Sequence, residues 1–457
     1  MRKFLVYLAA LAGFVAASGN LARAADSPQN AVAAAASDAA PCQAFGPGFF
    51  STGFLPFCAK AGIDLRVGFN KDFAARDLAL ASLRLPTLAD PNRASVPALI
   101  YFKKDYRDRT KYVRPSADAQ AHLTLAAQTD YGPVVGFINL HASGAWVFNG
   151  HPAFETNATT RGAVQNVVDQ ASLKFAGFTA GIYPSFFNFT QPGYSFSGGY
   201  ASSRKTLLLG YTQRIGNFAA ISLALEDPSR RTTFEGTLAN AAPARLPDVV
   251  GQVRLGSPSA FLHLSGAWHQ IRDRAAQDCC NAAISTKSAF ASAVGAEYRT
   301  KWSDVFGAAA GDMYGRVMVT AAYSKGALSY LGIPYFALDN VTEASGLIHR
   351  TTAFSAIVAY EHVWTPALKS TVTFSIYRAA MHSSPSDLGN GNLFNFNYSV
   401  RGSQLQIGTE YMIRPDVMIG AELSEVWDTA RGRFVGLRGA PVRVALPNAL
   451  VYLRKTY

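Results

Sequence analysis

The chain has 457 residues, with 42 Lys and Arg against 30 Asp and Glu, for a formal net charge of +12. Hydrophobic residues make up 49% and charged residues 16%, the latter well below the roughly 25% of soluble globular proteins. Beyond the first two dozen residues no apolar run is long enough for a membrane helix, which excludes a helical membrane bundle. Apolar content without long apolar runs is what alternation along strands produces.

Arg2 and Lys3 precede an apolar stretch over 4–17, and Ala22-Arg23-Ala24 offers a small-x-small cleavage site. Residues 1–24 therefore read as a secretory signal peptide. Arg2, Lys3 and Arg23 carry three of the positive charges, and the remainder is spread along the chain. An exported chain with dispersed basic residues argues against a nucleic-acid partner. Anionic headgroups, permeating anions or plain surface solvation account for the charge equally well.

Residues 25–57 form a lead-in that is rich in Ala, Ser, Pro and Gln over 25–41. Export makes disulfides plausible, and Cys42, Cys58, Cys279 and Cys280 allow three connectivities. Cys42 and Cys58 bracket one small loop and are the favoured pair; for the vicinal Cys279 and Cys280, bonded, reduced and cross-linking states stay open.

From residue 58 to 457 apolar and polar residues alternate. Over 59–69 the odd positions are apolar and the even ones are charged or glycine, so a strand there has one greasy and one wet side. Over 218–226, Ala219, Ile221, Leu223 and Leu225 oppose Ser222 and Glu226. Over 259–272, His263 and His269 fall on the polar side, opposite Leu262, Leu264 and Trp268, and read as lumen-lining. Over 368–378, Val372, Phe374 and Ile376 oppose Lys369, Thr371, Thr373 and Ser375. Stretches 404–412 and 417–427 behave alike, with Glu410 and Glu422 on their polar sides. Sixteen such strands are expected.

Short connections with turn residues fall at 129–132, 214–217, 256–259, 363–366 and 413–416. Long ones fall between them, near 143–162, 188–204, 227–246, 272–287, 325–350, 379–401 and 429–446. The connection over 301–314 is longer than its place in the series predicts. The stretch 71–118, dense in Lys and Arg, is open between one long loop and added structure. Phe69, Tyr131, Trp268, Tyr360, Tyr411, Trp427 and Tyr457 lie near strand ends, as interfacial girdles require. The fold class is all-β: a transmembrane antiparallel β-barrel with short periplasmic turns and long extracellular loops.

No catalytic constellation appears. There is no HExxH beside Glu361 and His362, no GxSxG elbow, and Gly436-Leu437-Arg438-Gly439 lacks the Lys-Ser/Thr of a phosphate loop. The expectation is a non-enzyme without metal or cofactor. The wet face instead carries both signs of charge, including Glu226 and Glu297, which a water-filled lumen tolerates and a dry interior does not. Pore-lining candidates are Lys60, Asp64, Arg66, Asn139, Arg254, Glu361, Lys369, Glu410 and Glu422.

Specific motifs recur along the chain. Cys42-Gln43-Ala44-Phe45-Gly46-Pro47-Gly48-Phe49-Phe50 is followed by Cys58-Ala59-Lys60-Ala61-Gly62-Ile63-Asp64-Leu65-Arg66. Then come Gln128-Thr129-Asp130-Tyr131-Gly132, Phe175-Ala176-Gly177-Phe178-Thr179-Ala180-Gly181 and Ser185-Phe186-Phe187. Further on are Ser222-Leu223-Ala224-Leu225-Glu226-Asp227-Pro228 with Arg230 and Arg231, Pro247-Asp248-Val249-Val250-Gly251-Gln252-Val253-Arg254 and Tyr360-Glu361-His362-Val363-Trp364-Thr365-Pro366. In this order the motifs resemble the alphaproteobacterial porin family, of the cysteine-pair type, over nearly all of the chain after the signal.

The resemblance implies a sixteen-stranded barrel, a homotrimer, and passive passage of ions and small hydrophilic solutes. It also implies that 188–204 folds inward as a constriction, bearing Asn188, Tyr194, Phe196, Tyr200 and Arg204. Outer-membrane lipid, lipopolysaccharide and the barrel-assembly machinery are the further partners expected, the last reading the aromatic Tyr457 even though Lys455 interrupts the final apolar register. The chain departs from the pattern in charge: Ile182 stands where arginine is frequent, Asn188 where aspartate is, and Asn139 at a basic position. Stretch 188–203 holds no ionised side chain, so a weakly selective channel is expected, with a slight anion preference from Lys60 and Arg66. A ligand-selective channel, with Tyr194, Phe196 and Tyr200 facing a sugar-like solute, is the alternative, and a closed structural barrel is a third.

Overall fold

In a computed structural model the described residues are 42–51, 57–73, 113–145, 165–189, 199–231, 242–257, 259–274, 284–301, 313–333, 339–342, 347–382, 386–387, 393–394, 397–434, 437–438 and 442–457. Sixteen strands form one closed wall. They are β1 (Cys58–Asp72), β2 (Val113–Thr129), β3 (Gly132–Ala145), β4 (Gln165–Phe175), β5 (Phe178–Pro184), β6 (Lys205–Ile215), β7 (Ala219–Glu226) and β8 (Asp248–Gly256). They continue as β9 (Ala260–Arg274), β10 (Ile284–Lys301), β11 (Tyr314–Lys325), β12 (Thr352–Thr365), β13 (Leu368–His382), β14 (Asn397–Arg414), β15 (Val417–Phe434) and β16 (Val442–Thr456).

Each strand pairs antiparallel with the next, and β16 returns to β1 in the register Asp64 opposite Thr456 to Asp72 opposite Asn448. Tyr457 extends this seam: its N–H donates to the Ile63 carbonyl at 2.8 Å, and Ile63 N–H donates back at 3.3 Å. Closure leaves no strand edge, which a barrel in lipid requires. Among the described residues the only helical elements are the 3₁₀ turns Gln43–Phe45, Pro228–Arg230 and Leu328–Leu331.

The connections alternate in length as the turn residues predict, except that the one over 302–313, between β10 and β11, is longer than the one over 275–283 before it. A tight turn absent from the expected series joins β4 to β5 through Ala176 and Gly177, at φ +47° and +85°. Two consecutive positive φ values are what a two-residue hairpin turn matching strand twist needs. Sequence reading passes over it because alanine is a poor marker of that conformation.

The outward positions carry Leu65, Val67, Leu123, Ile138, Leu207, Leu223, Val294, Phe374 and Leu453, all exposed. Aromatic residues gather toward both ends of this belt. Tyr131, Tyr298, Tyr314, Trp364 and Tyr457 lie at the short-turn end, and Phe69, Phe290, Tyr323 and Phe354 lie toward the other. His362 faces outward among them, its ring 4.0 Å from Trp364 and its Nδ1 2.8 Å from the Tyr360 hydroxyl. Lys455, outward in β16, reaches Asp416 in the β14–β15 turn at 3.6 Å, so its charge leaves the apolar belt sideways.

The N-terminal segment is fixed to the short-turn end. Cys42–Cys58 are disulfide-bonded with their Cα atoms 5.3 Å apart, and Phe50 and Ser51 pair with Ala59 and Cys58. Cys279 and Cys280 lie outside the described residues.

The inner face is not uniformly wet. From β6 to β10 it carries Leu208, Ala224, Val250, Ala267, Ile271, Ala289 and Ala291, all buried, and the cluster continues at the long-loop end over Ala353, Tyr377, Ala379 and Val400 of β12 to β14. Two inter-strand segments cover them. Phe186 and Phe187 follow β5, and Leu328, Tyr330 and Leu331 follow β11. Burying such side chains is worth about 1.5–3 kcal/mol each, so this sector of the interior is a packed core rather than a water channel.

Candidate functional site

Alternation turns ionisable residues inward from strand after strand, and strand register decides which of them meet. Arg316 stands directly opposite Glu361, Lys369 opposite Glu410, and Arg66 opposite Asp118. Opposed charges at such positions attract. The result is a chain of ion pairs along the inner wall from β10 to β6 by way of the seam.

Glu297 Oε1 accepts from Arg299 Nε at 2.7 Å, and its Oε2 accepts from Arg316 at 2.9 Å. Arg316 is also 3.9 Å from Glu361. Lys369 Nζ lies 4.0 Å from Glu361 and 3.0 Å from Glu410. Tyr452 donates to Glu410, and Gln406 donates to Glu422. Across the seam Arg454 Nε donates to both oxygens of Asp64, at 2.9 and 2.7 Å. Arg66 lies 3.5 Å from Asp118, which also holds His141 Nε2 at 2.8 Å. Asn139 Nδ2 donates to Asp169 at 2.9 Å and to Gln120 at 3.1 Å, and Lys205 pairs with Asp169.

The pore-lining candidates take different places. Asp64, Arg66, Asn139, Glu361, Lys369 and Glu410 join this chain of contacts. Lys60 instead donates from Nζ to the Pro47 carbonyl at 3.0 Å, beside the disulfide loop. Arg254 lays its guanidinium 3.7 Å from the Phe261 ring. The alternation that turns Thr179 inward puts Gly181 inward too and sends Ile182 to the lipid side, opposite Ala171. The exchange of arginine for Ile182 therefore removes no charge from the lumen.

The segment after β5 starts at the wall. Ser185 N–H and Asn188 Nδ2 both donate to the Arg204 carbonyl, at 3.0 and 2.9 Å, and Ser202 donates to Asn188 Oδ1 at 2.6 Å. Phe189 packs on Phe261 and His263. A Cβ on Gly295 of β10 would fall 2.7 Å from the Phe189 ring. Tyr200 stacks edge-on against Tyr377 of β13 at 4.4 Å and directs its hydroxyl at Asp428 of β15, 3.5 Å away. Burial, then Asp428, raises the Tyr200 hydroxyl above its ordinary pKa. Tyr194 and Phe196 lie outside the described residues.

Three residues read as wet-face groups are instead in the dry sector. Glu226 is fully buried and accepts from Ser185 Oγ at 2.9 Å, Phe186 N–H at 3.0 Å and Arg231 at 2.7 Å. Arg231 lies over the Tyr330 ring at 4.0 Å. The Tyr330 hydroxyl donates to Asp248 Oδ2 at 2.7 Å, and Asp248 Oδ1 meets His269 Nδ1 at 2.7 Å. Burial, with Asp248 adding and Arg231 opposing, raises the Tyr330 hydroxyl pKa, so it stays a donor. His263 pairs with Gln252 under Phe189. Alternation correctly turned these groups inward, but the segments after β5 and β11 cover them.

Arg316, Arg454, Asp118, Asp169, Lys205 and Tyr330 escaped sequence reading, and Arg231 entered it only within a motif. Alternation marks Arg316, Arg454 and Asp118 as inward, whereas Lys205 shares the register of outward Leu207 and Leu209, Asp169 sits at the bulge in β4, and nothing local marks Tyr330. No group of His, Cys, Asp and Glu among the described residues is arranged to hold a metal ion.

With this geometry in view, the family model described as the porin subfamily matches residues 42–427. No curated protein sequence matches the chain. Among solved structures, the outer membrane channel DcaP of Acinetobacter baumannii superposes with a TM-score of 0.59 at 13% identity, covering 90% of this chain and 99% of that one. OmpT of Vibrio cholerae in a trimer form gives 0.45 at 11%, covering 88% and 99%. OmpF of Salmonella typhi gives 0.45 at 11%, covering 90% and 100%.

Proposed function

This chain belongs to the porin subfamily, and on that premise we propose that the ion-paired inner wall from β10 through the seam to β6 lines the path of its solutes. The protein is a non-enzymatic passive channel of the outer membrane. The observation that carries the assignment of the path is the division of the interior. One sector is packed with Phe186, Phe187, Leu328, Tyr330 and Leu331, while the other carries ion pairs whose basic members stay partly exposed. Water follows the second, since ionised groups are stable where they stay hydrated.

The residues between β5 and β6 act as the constriction, rooted by Asn188 and Arg204 and reaching β13 through Tyr200. The disulfide Cys42–Cys58 supports placement with the alphaproteobacterial, cysteine-pair type, and the working unit is a homotrimer. Lipopolysaccharide contacts and recognition of Tyr457 by assembly machinery belong to the same reading. A sugar-selective path is less well supported, because Tyr200 is already packed against Tyr377.

Planar-bilayer recording of refolded protein tests the channel. Discrete conductance steps are expected, and electroneutral polar solutes in the bath should lower them according to size. A membrane that stays silent with folded protein present would refute the reading.

A further inference from the structure

The inner-wall ion pairs share an orientation that net charge does not reveal. In the Arg299 and Glu297 pair the base is 49% exposed and the acid 1%. Lys369 is 35% exposed, against 8% for Glu361 and 7% for Glu410. Arg454 is 42% exposed against 18% for Asp64, and Arg66 27% against 15% for Asp118. Each time the base is the more exposed member of its pair and the carboxylate the more covered one.

The cause is side-chain length. Asp and Glu keep their charge near the backbone, where Arg454, Tyr452, Gln406 and neighbouring bases satisfy it. Lys and Arg carry theirs at the end of a long apolar stem and extend it toward water. Each pair is then a dipole with its positive end toward the path. A passing ion meets the cation first and the anion through the intervening side chain. Low-dielectric walls focus such a field into the lumen rather than letting it spread.

We infer that these pairs form a cationic rail, with Arg299, Lys369, Arg454 and Arg66 as its contact points, and that the channel prefers small anions, carboxylates and phosphates included. This rests on the channel reading. It differs from a preference set by net charge, because the wall pairs nearly cancel in number. It also needs no ionised group in the segment between β5 and β6. Selectivity on this view lies in which member of each pair the solute touches.

Reversal potentials of single channels in a KCl gradient test the rail. The wild type should favour chloride, by less than the about five-fold that one unpaired unit charge at 4 Å produces in bulk water. Lys369→Gln leaves Glu410 with Tyr452 and Glu361 near Arg316, and Arg299→Gln leaves Glu297 with Arg316, so both variants retain partners for the buried acids. The double variant should lose most of the chloride preference. Glu361→Gln, which removes a covered acid, should raise it far less than Lys369→Gln lowers it. Conducting channels that favour potassium, or equal and opposite effects of Lys369→Gln and Glu361→Gln, would overturn the rail and leave the channel standing. Absence of conductance from folded protein would overturn both.

Discussion

Replacing Tyr330 by phenylalanine isolates the contact that holds the β11–β12 segment against the wall. The ring keeps its place against Phe187 at 4.8 Å and under Arg231 at 4.0 Å, so packing is preserved. What disappears is the hydroxyl's 2.7 Å hydrogen bond to Asp248, leaving that fully buried carboxylate with His269 alone. A hydrogen bond to a charged group contributes about 1.5–3 kcal/mol, which corresponds to about a 10- to 150-fold rise in the population of the opened segment. Hydrogen exchange read by mass spectrometry should show this increase in peptides covering 327–333 and 185–189, while the amides of β13 and β14 keep their protection. Arg231→Met is the harsher companion. It strands Glu226, which then keeps only Ser185 and Phe186, and loss of a buried charge partner costs about 3–5 kcal/mol. Unchanged exchange in both variants, or an equal rise throughout the barrel, would refute the idea that this network pins the two segments as a local unit.

Three further outcomes follow from the wall and its termini. Phe374→Arg, midway along the lipid side of β13, should destabilise the barrel by about 2–4 kcal/mol in reversible urea unfolding from lipid, whereas Thr373→Arg on the inner side should cost far less. Reduction of Cys42–Cys58, or its replacement by serines, opens a link with a sequence separation of 16 and should remove about 3 kcal/mol in the same assay. Gly295→Val places atoms where the Phe189 ring now lies; overpacking of about 1–3 kcal/mol should displace the segment after β5 and change the unit conductance.

The barrel wall was legible because its signal is local. Leu223 and Leu225 against Ser222 and Glu226 state two faces within one strand, and the spacing of turns repeats that statement along the chain. The inner partition was harder to see. Its clue is the run Leu207-Leu208-Leu209 in β6, with Val249 and Val250 in β8, where apolar residues occupy both faces as they do in doubly covered strands. What does the covering was not readable, since Tyr330 meets Asp248 across 82 residues through a turn with no pattern of its own. The ion pairs fall between these cases. Their facing follows from alternation, but their partners depend on register, and the bulge between Asn139 and Leu140 shifts it.

The seam between β1 and β16 carries a consequence in time. Asp64 and Arg454 meet across 390 residues, against 16 for the disulfide. Loop-closure entropy grows by about 0.6 kcal/mol per doubling of length, so the seam costs on the order of 3 kcal/mol more to close than that small loop. Every other pairing in the wall joins strands adjacent in the chain and can form earlier. Until the seam closes, the protein is a curled ribbon whose first strand waits unpaired on one side. Two raw edges then exist together, each a template for any strand nearby. The last ion pair to form is therefore also the one that decides whether the molecule ends as a single ring or joined to a neighbour.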